Sequence, residues 1–289
     1  MQYDLHSHSI HSDGTLTPTE LVQRARAGGV DVLALTDHDV TDGIDEARSA
    51  AQAAGLQLIA GVEVSVTWGT QTVHIVGLGV ATDEPTLQVG LQGLRKFREW
   101  RAEEIARRLA KQGIPEAYAG ARAHAKGTAV GRTHFARFLV DAGHAKDLRQ
   151  VFKKFLVSGR PGYVPGQWAD LSQAVGWIHA AGGQAVIAHP ARYTLSATRL
   201  RTLLYEFKAC GGDGIEVVSG SHNRDDYFRL AHLATQFGLL ASAGSDYHGP
   251  EQPWIELGRL PDLPDGCRPI WQGWPRDRST PVALECLTK

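Results

Sequence analysis

Nine histidine, aspartate and glutamate side chains are placed in a way that suits metal binding. His6 and His8 are separated by one residue in a strand-like segment, so the two-residue period of a strand would put both imidazoles on one face. Glu63 lies inside the apolar run 59–64, where an unpaired carboxylate would be costly. A histidine pair alone is equally typical of a polar surface, but most of the other members also adjoin apolar runs. These are Asp13, His38, His74, His189, Asp246 and His248.

The ligand types indicate which metals and which chemistry to expect. Imidazole and carboxylate ligands without thiolate suit Mn, Zn or Fe better than Ca or Mg alone. Nine side chains exceed what one ion can use, so the set predicts a multinuclear site with a bridging carboxylate. Closely spaced ions activate water and stabilise both the entering and the leaving oxygen of a phosphoryl displacement. The expected reaction is therefore phosphoester hydrolysis.

An alternation of strands and helices must position these residues. Apolar runs alternate with amphipathic segments along most of the chain, which favours an α/β fold, a parallel sheet with covering helices that is open or closed as a barrel. Catalytic residues gather at the carboxyl ends of barrel strands. Strands are predicted at 3–8, 32–36, 56–66, 72–80, 185–188, 215–218 and 239–243. Helices are predicted at 21–27, 44–54, 172–181, 200–210 and 227–237.

Charge is distributed unevenly along the 289 residues. The net charge is −1, but residues 95–160 contain 16 Lys or Arg and 6 Asp or Glu, a net of +10. This basic and mainly helical stretch predicts an inserted cap at 95–165 between two barrel parts, 1–94 and 166–289. The Pro- and Gly-containing tail after residue 250 is expected to be irregular. An acidic and a basic surface would suit cations and an anion, respectively.

Two arginines lie on an otherwise apolar helical face that includes Leu94 and Ile105. Buried guanidinium groups need anionic partners. Arg98 and Arg101 therefore either pair with acidic residues of the barrel or meet substrate phosphate above the metal site. The neighbouring Trp100 either stacks on a base or belongs to the core.

Two further arginines are flanked by glycine, which lets the backbone approach a ligand closely. Arg132 and Arg160 are predicted phosphate ligands, because arginine binds phosphate through two hydrogen bonds. His134 is predicted as a general acid for the leaving oxygen or as a phosphate contact. The alternative is a histidine at a helix start that bonds only to backbone.

The whole pattern resembles the PHP (polymerase and histidinol phosphatase) family. The motifs that carry it, over about 1–95 and 165–250, are His6-x-His8, His-Ser-Asp13-Gly-Thr, Thr-Asp-His38-Asp, Gly-Val-Glu63, His74, Ala-His189-Pro and Gly-Ser-Asp246-x-His248. The resemblance implies a distorted seven-stranded barrel with three metal ions. The implied ligand sets are His6, His8, Glu63 and Asp246 for the first ion, Glu63, His74 and His189 for the second, and Asp13, His38 and His248 for the third.

Within the family, the short chain with a basic insertion looks like the nucleoside 3′,5′-bisphosphate phosphatases and the related 5′-3′ exoribonucleases. The expected reaction is attack of a metal-bridging hydroxide on the 3′-phosphate of a doubly phosphorylated nucleotide, with Mn²⁺ in all three sites and Zn²⁺, Fe²⁺ or Mg²⁺ as alternatives. The residues expected to be catalytic are Asp13, His38, Glu63, Asp246 and His134. Other hypotheses are trimming of short 5′-phosphorylated RNA, histidinol phosphate hydrolysis and a non-enzymatic module.

Composition constrains the cellular setting. The chain has no signal-peptide pattern and no apolar stretch of 18 residues, so neither secretion nor a membrane span is expected. Its three scattered cysteines, Cys210, Cys267 and Cys286, suit a reduced compartment without disulfides. The expectation is a cytoplasmic enzyme that needs no protein partner.

Overall fold

A computed structural model describes residues 1–127 and 129–274, so Cys286 and the last part of the predicted 166–289 unit lie outside the described residues. Seven strands form one sheet whose order follows the sequence. The strands are β1 Tyr3–Asp4, β2 Val32–Leu35, β3 Gln57–Trp68, β4 Gln71–Leu78, β5 Gln184–Ile187, β6 Gly214–Ser219 and β7 Leu240–Gly244.

The sheet closes into a distorted barrel, as predicted. Strands β1, β2 and β3 are parallel, as are β5, β6 and β7, whereas β4 runs antiparallel to both of its neighbours. The first strand is shorter than predicted, and the chain after it bonds to the last strand. Leu5 N donates to Ala243 O at 2.9 Å and Asp246 N donates to His6 O at 2.9 Å. These bonds bring the two ends of the sequence pattern, His6 and Asp246, together.

The helices are α1 Pro18–Ala27, α2 Ile44–Ala54, α3 Pro85–Ala110, α4 Ala117–His124, α5 Arg132–Asp141, α6 Leu148–Val151, α7 Leu171–Ala180, α8 Ala197–Ala209 and α9 Arg224–Gln236. Local signals explain several of their ends. Helix α1 begins with Pro18 in its first turn, and the Thr17 hydroxyl caps it by accepting from Glu20 N. Helix α2 ends at Gly55, whose φ of 64° is left-handed. None of the described helices is long and apolar enough to cross a membrane.

Successive side chains of β3 point to opposite faces of the sheet and therefore belong to two different hydrophobic clusters. Val62, Val64 and Val66 pack outward against the covering helices. Ile59 lies on the opposite face, in a cluster with residues of β2, β4 and β5 that fills the barrel. Glu63 shares this inward face, four residues further along the strand, and is completely buried. The carboxylate is therefore at the centre of the barrel by strand geometry alone.

The cap has a hydrophobic core of its own, whose buried members run from Ala102 to Val164. The cap is helical, containing α4, α5, α6, the end of α3 and a π-helix at Phe152–Leu156. Its predicted start at residue 95 falls inside α3, because this one helix of 26 residues serves both parts. Leu87, Leu91 and Leu94 pack on the barrel, whereas Ile105 and Leu109 pack in the cap.

Barrel closure beside His6 leaves no room for a side chain on β7. A Cβ added to Gly244 would lie 2.3 Å from His6 Cβ and 2.8 Å from His6 N. We expect Gly244→Ala to push β1 and β7 apart and to lower the free energy of unfolding by about 1–3 kcal/mol, the usual cost of overpacking. Urea unfolding measures the change.

The matched control is Gly176→Ala in the exposed part of α7, where a new Cβ meets nothing within 4 Å. Alanine is the better helix former, so this variant should gain roughly 0.5–1 kcal/mol. Equal stability of the two variants would contradict the close contact at Gly244.

Candidate metal centre

The carboxylate of Glu63 is surrounded by histidines at the centre of the barrel. His74 Nδ1 and His189 Nε2 lie 2.8 and 3.0 Å from Glu63 Oε1. His38 Nδ1 lies 2.8 Å from Oε2, and the Nε2 atoms of His6 and His8 both lie 3.4 Å from it. Five imidazoles from different segments therefore converge on one buried carboxylate. This arrangement is what a bridging ligand of several cations requires.

Asp246 and Asp13 extend this centre on one side. Asp246 Oδ1 lies 3.5 Å from His6 Nε2 and 3.2 Å from His8 Nε2. Asp13 Oδ1 lies 3.2 Å from His248 Nε2 and 3.8 Å from His38 Nε2. The structure thus brings together all nine of the side chains that the sequence predicts as metal ligands.

Burial and charge hold His8, His74 and Glu63 in the protonation states that metal binding needs. Burial, with the nearby His248, lowers the pKa of His8 to about 3, and burial lowers the pKa of His74 to about 4. Burial alone would raise the pKa of Glu63, but His38, His74 and His6 outweigh it and hold the pKa well below its ordinary value. Neutral imidazoles and an ionised carboxylate present the lone pairs that a cation accepts. At His6, His38 and His248 burial lowers the pKa, but nearby carboxylates outweigh it and raise the pKa, for His248 to about 9, so an ion bound there would displace a proton from each ring.

Several buried atoms fit a cation better than they fit the protein alone. Among the described residues, Asp13 Oδ1 and Glu63 Oε2 are buried without a hydrogen-bond partner. The Nε2 atoms of His6 and His8 lie 3.1 Å from each other. Four groups have their ligating atoms within 4.8 Å of one another: His8, Asp13, His38 and His248; His6, Glu63 and His189; His6, His8 and Asp246; and His38, Glu63 and His74. The donor set therefore suits several ions.

The backbone is left-handed at three places around the centre. Among the described non-glycine residues, only Asp39, His189 and Asp246 have positive φ, at 55°, 29° and 57°. Such conformations are uncommon for residues with a Cβ and cluster at functional sites. Two of the three are candidate ligands, so local backbone strain accompanies their placement.

Glu216 on β6 is a buried residue that the sequence analysis did not single out. One of its oxygens lies 2.5 Å from His6 Nδ1, and the other accepts from His189 N at 2.6 Å. Carboxylates that hold the second nitrogen of a ligating histidine fix its tautomer and orientation. The signal was available, because Glu216, like Glu63, is an acidic residue inside an apolar strand.

We expect Glu216→Gln to lower metal affinity or activity by roughly 10–100-fold, the usual effect of losing such a partner. Glutamine keeps the shape but carries no charge to fix the tautomer of His6. Metal content after equilibration at defined free Mn²⁺, together with kcat/KM, measures the effect. A folded variant with wild-type metal affinity and activity would contradict this role.

The metal centre forms one wall of a cavity of ≈ 160 Å³ between the barrel and the cap. Three arginines of the cap line it. Arg98 follows the first of its two predicted alternatives, since its Nε donates to Asp39 Oδ2 at 2.7 Å and its Nη2 to Ser65 Oγ at 2.8 Å. Arg98 therefore has a carboxylate partner in the barrel, and it also faces the cavity.

The other two cap arginines of the cavity have no carboxylate partner among the described residues. Arg101 is buried and, within that part of the chain, donates only to the carbonyl oxygen of Val164, at 3.1 and 2.9 Å. Within residues 1–127 and 129–274, Arg132 forms no side-chain hydrogen bond or ion pair and lies over the Phe152 ring at 5.7 Å. Burial, together with Arg132 and Arg98, lowers the pKa of Arg101 to about 9. One buried and one half-buried positive charge thus lack a carboxylate partner among the described residues, beside the candidate metal centre.

The structure does not bring two of the predicted substrate ligands to this cavity. Arg160 is exposed on the loop after the π-helix, outside the described residues that line the cavity. Trp100 is 51 % exposed and also lies outside that lining, with its ring 5.4 Å from the ring of Phe97. The structure thus places neither side chain in the described lining of the cavity, and their contacts with substrate stay predictions.

His134 lines the cavity but is poorly suited to be a general acid. Its Nδ1 accepts from Gly131 N at 3.0 Å, and burial lowers its pKa to about 4. The ring is therefore neutral at pH 7, with its proton on Nε2. It corresponds to the helix-start histidine of the alternative interpretation, and its Nε2 remains available as a hydrogen-bond donor.

Three cavity residues were missed by the sequence analysis. Arg192 forms an ion pair with Asp246 Oδ2, and Thr133 Oγ1 donates to Asp13 Oδ2 at 2.8 Å. Trp168 lies under the guanidinium groups of Arg98 and Arg101, at 5.0 and 5.3 Å from its ring. Arg192 could have been noted, since it comes three residues after His189. The other two contacts depend on how the cap lies on the barrel.

Comparison with known proteins gives consistent relatives. Residues 4–99 match the family described as the PHP domain. The chain is 51 % identical over 270 residues to a 3′,5′-nucleoside bisphosphate phosphatase of Chromobacterium violaceum, covering 93 % of this chain and 95 % of that protein. It is 47 % identical over 280 residues to the 5′-3′ exoribonuclease Rnm of Escherichia coli, covering 96 % of this chain and 95 % of that protein.

Solved structures agree over nearly the same length. A structure described as an amidohydrolase from Chromobacterium violaceum, with bound sulfate and no metal, is 50 % identical, with a TM-score of 0.91 over 94 % of this chain and 95 % of that one. A second structure, from Bifidobacterium adolescentis, is 29 % identical, with a TM-score of 0.78 over 93 % and 92 %. The similarity therefore includes both the barrel and the cap.

Proposed function

The chain belongs to the PHP family of metal-dependent phosphoesterases, and we propose that it removes the 3′-phosphate from nucleoside 3′,5′-bisphosphates such as adenosine 3′,5′-bisphosphate. The relative from Chromobacterium violaceum bears the name of this activity and is aligned over almost its whole length. The proposal must also be supported by the site itself.

The observation that carries the proposal is that one cavity contains both a candidate metal centre and two arginines that have no carboxylate partner among the described residues. The histidine and carboxylate wall suits cations that would hold one phosphate. The two arginines, Arg101 and Arg132, suit a second phosphate. A ligand with two phosphates satisfies both ends, whereas a monophosphate leaves one end uncompensated.

We assign the metal ligands as three sets. These are His6, His8, Glu63 and Asp246 for the first ion, Glu63, His74 and His189 for the second, and Asp13, His38 and His248 for the third. The clusters of ligating atoms overlap these sets without matching them, since His8 also lies with Asp13 and His38. We take Mn²⁺ as the ion, with Zn²⁺, Fe²⁺ and Mg²⁺ as alternatives. Ions bound there would activate water and neutralise charge on the phosphate.

The protein's own groups orient the nucleotide. Arg101 and Arg132 hold the 5′-phosphate at the cap end of the cavity. The amino terminus of α5 also faces the cavity, through Gly131, Arg132 and Thr133, and its backbone amides favour an anion. Arg192, held by Asp246, can donate to the 3′-phosphate. The nucleotide is thus fixed at both ends, with its 3′-phosphorus beside the metal ligands.

A phosphate-release screen tests the proposal directly. Wild-type protein, with Mn²⁺ added and its metal content measured, would be assayed on nucleoside mono- and bisphosphates and on histidinol phosphate. The expected result is highest kcat/KM for 3′,5′-bisphosphates, with release of the 3′-phosphate only. A preference for histidinol phosphate or for monophosphates, or metal-loaded protein that is inactive on every ester, would overturn it.

A second candidate function is 5′-3′ exoribonuclease action on short 5′-phosphorylated RNA, the activity named for the relative from Escherichia coli. One observation favours it. The cavity is not closed at the metal end, where it joins a larger cleft that also contains Asp246 and His248. The same site could then act on a phosphodiester whose far side continues into that cleft.

A further inference from the structure

Two clefts share lining residues with the cavity. The metal-side cleft, of ≈ 1100 Å³, shares Arg192, Asp246 and His248 with the cavity, as well as Thr133 and Phe152 of the cap, and continues between the cap and the chain after β7. The arginine-side cleft, of ≈ 700 Å³, shares Arg101 and Arg132 with the cavity. A ligand longer than one nucleotide can therefore extend from the cavity into either cleft. The metal-side cleft continues the wall that contains Asp246 and His248, and the arginine-side cleft continues the wall that contains Arg101 and Arg132.

The polarity of the proposed substrate decides between the two clefts. With the 5′-phosphate at Arg101 and Arg132, the 3′-phosphate lies at the metal ligands. If that phosphate is a diester, the next nucleotide is attached to its far side. The chain must then leave past Asp246 and His248, which line the metal-side cleft. The arginine-side cleft cannot take it, since it lies beyond the 5′ end.

The metal-side cleft also has the chemistry of a single-strand binding surface. Trp254 is 75 % exposed within its lining, so a large aromatic face is available for stacking. Arg149, from α6, lines the same cleft and forms no ion pair or side-chain hydrogen bond within the part of the chain that the structure describes. Aromatic faces and free cations together are typical of sites for single-stranded nucleic acid.

The acidic residues of this cleft do not argue against binding of a nucleic acid strand, because each of them either forms an ion pair or accepts a backbone hydrogen bond. Glu251 pairs with Arg137 at 2.9 Å, and Asp141 lies 3.3 Å from His124. Asp147 caps α6 by accepting from Gln150 N at 2.7 Å. Of the three arginines that line this cleft, Arg137 and Arg192 have carboxylate partners and Arg149 has none among the described residues.

We propose that the metal-side cleft binds the nucleotides that follow the scissile phosphate of a 5′-phosphorylated single-stranded RNA. Trp254 stacks on one of their bases and Arg149 contacts their backbone. This inference rests on the proposed function for the placement of the first nucleotide. It assigns the cleft as the feature that separates action on an oligonucleotide from action on a bisphosphate.

The reaction balances and returns a substrate of the same kind. Water oxygen bonds to the phosphorus while the bond from phosphorus to the 3′-oxygen of the first nucleotide breaks. The 3′-oxygen takes up a proton that the water releases. The products are a nucleoside 5′-monophosphate and an RNA one nucleotide shorter, which carries the phosphate at its new 5′ end. That phosphate fits the arginine end again.

The test compares Trp254→Ala and Arg149→Ala with wild type on three substrates: adenosine 3′,5′-bisphosphate, a 5′-phosphorylated dinucleotide and a 5′-phosphorylated pentanucleotide. Stacking is worth about 1–3 kcal/mol per base, so KM for the pentanucleotide should rise roughly 5- to 150-fold in Trp254→Ala. Arg149→Ala should raise it less and should reduce its dependence on salt. Both variants should keep wild-type kcat and KM for the bisphosphate.

The matched control is Tyr205→Ala, which removes a comparably exposed aromatic, 69 % exposed, from α8 and outside the cleft. This variant should have wild-type kcat and KM on all three substrates. An unchanged pentanucleotide KM in Trp254→Ala and Arg149→Ala, equal losses on all substrates, or wild-type protein that never shortens RNA would each overturn the cleft assignment. Wild-type protein that shortens RNA through this cleft but releases nothing from the bisphosphate would instead refute the proposed function alone.

Discussion

Replacing Glu63 with glutamine is expected to lower turnover of a nucleoside bisphosphate by at least about a thousandfold. The carboxylate lies within 3.4 Å of nitrogens from five histidines, so it is the ligand that several ions would share. Glutamine has nearly the same shape but lacks the charge. Loss of metal-based charge stabilisation is worth several kcal/mol, and each 1.4 kcal/mol is about tenfold in rate.

Metal content distinguishes this explanation from simple misfolding. Purified Glu63→Gln should contain at least one ion fewer than wild type by elemental analysis, while its far-ultraviolet circular dichroism stays native. Glu103→Gln, on the exposed face of α3, makes the same chemical change outside the site and should behave as wild type. Full metal content with less than tenfold loss of turnover in Glu63→Gln would refute the bridging role.

Arg132→Ala is expected to raise KM for a 3′,5′-bisphosphate by about tenfold to a hundredfold, because a hydrogen bond to a charged group contributes about 1.5–3 kcal/mol. The guanidinium lines the cavity and has no carboxylate partner within the residues that the structure describes, so a substrate phosphate is its natural counterion. For a nucleoside 3′-monophosphate, which lacks the 5′-phosphate, KM should change little. Steady-state kinetics on the matched pair of substrates measures the difference.

Arg160→Ala is the control for that experiment. It removes the other arginine that lies in a glycine-containing turn of the cap, but its side chain is exposed outside the cavity lining. Wild-type kinetics are expected on both substrates. If Arg132→Ala weakened the mono- and bisphosphate equally, or if Arg160→Ala raised the bisphosphate KM as much, the two-ended cavity would be the wrong description.

Most of the candidate metal ligands could be predicted from sequence because they carry a local signal, whereas Asp13 depended on the family resemblance. A histidine at the end of an apolar strand, or a carboxylate inside one such as Glu63, is costly unless something binds it. Strand topology then brings such residues to one place. Glu216 carries the same signal and could have been identified in this way.

The substrate residues were less predictable, because they depend on how the cap lies against the barrel. Arg132 and Arg160 both follow a glycine, but the first begins α5 beside the cavity and the second lies exposed on a loop. Trp100 is different, because helical periodicity alone argues against its predicted contact with a base. It lies two residues from Arg98, about 200° around the helix, and so on the opposite face. The base-stacking prediction conflicted with the face that buried both arginines.

The length of helix α3 sets the distance and the rotation between the barrel wall and the cap wall of the cavity. Its first half is fixed to the barrel through Leu94, and its second half enters the cap through Ile105, with no break between them. One residue added or removed between Leu94 and Arg101 would turn the helix beyond it by about 100° and shift it by about 1.5 Å. Arg101 would then leave the cavity even though no cavity residue had been replaced. The length of α3 is thus as much a part of the substrate specificity as the arginines that it carries, and a cap exchanged between relatives must keep that length.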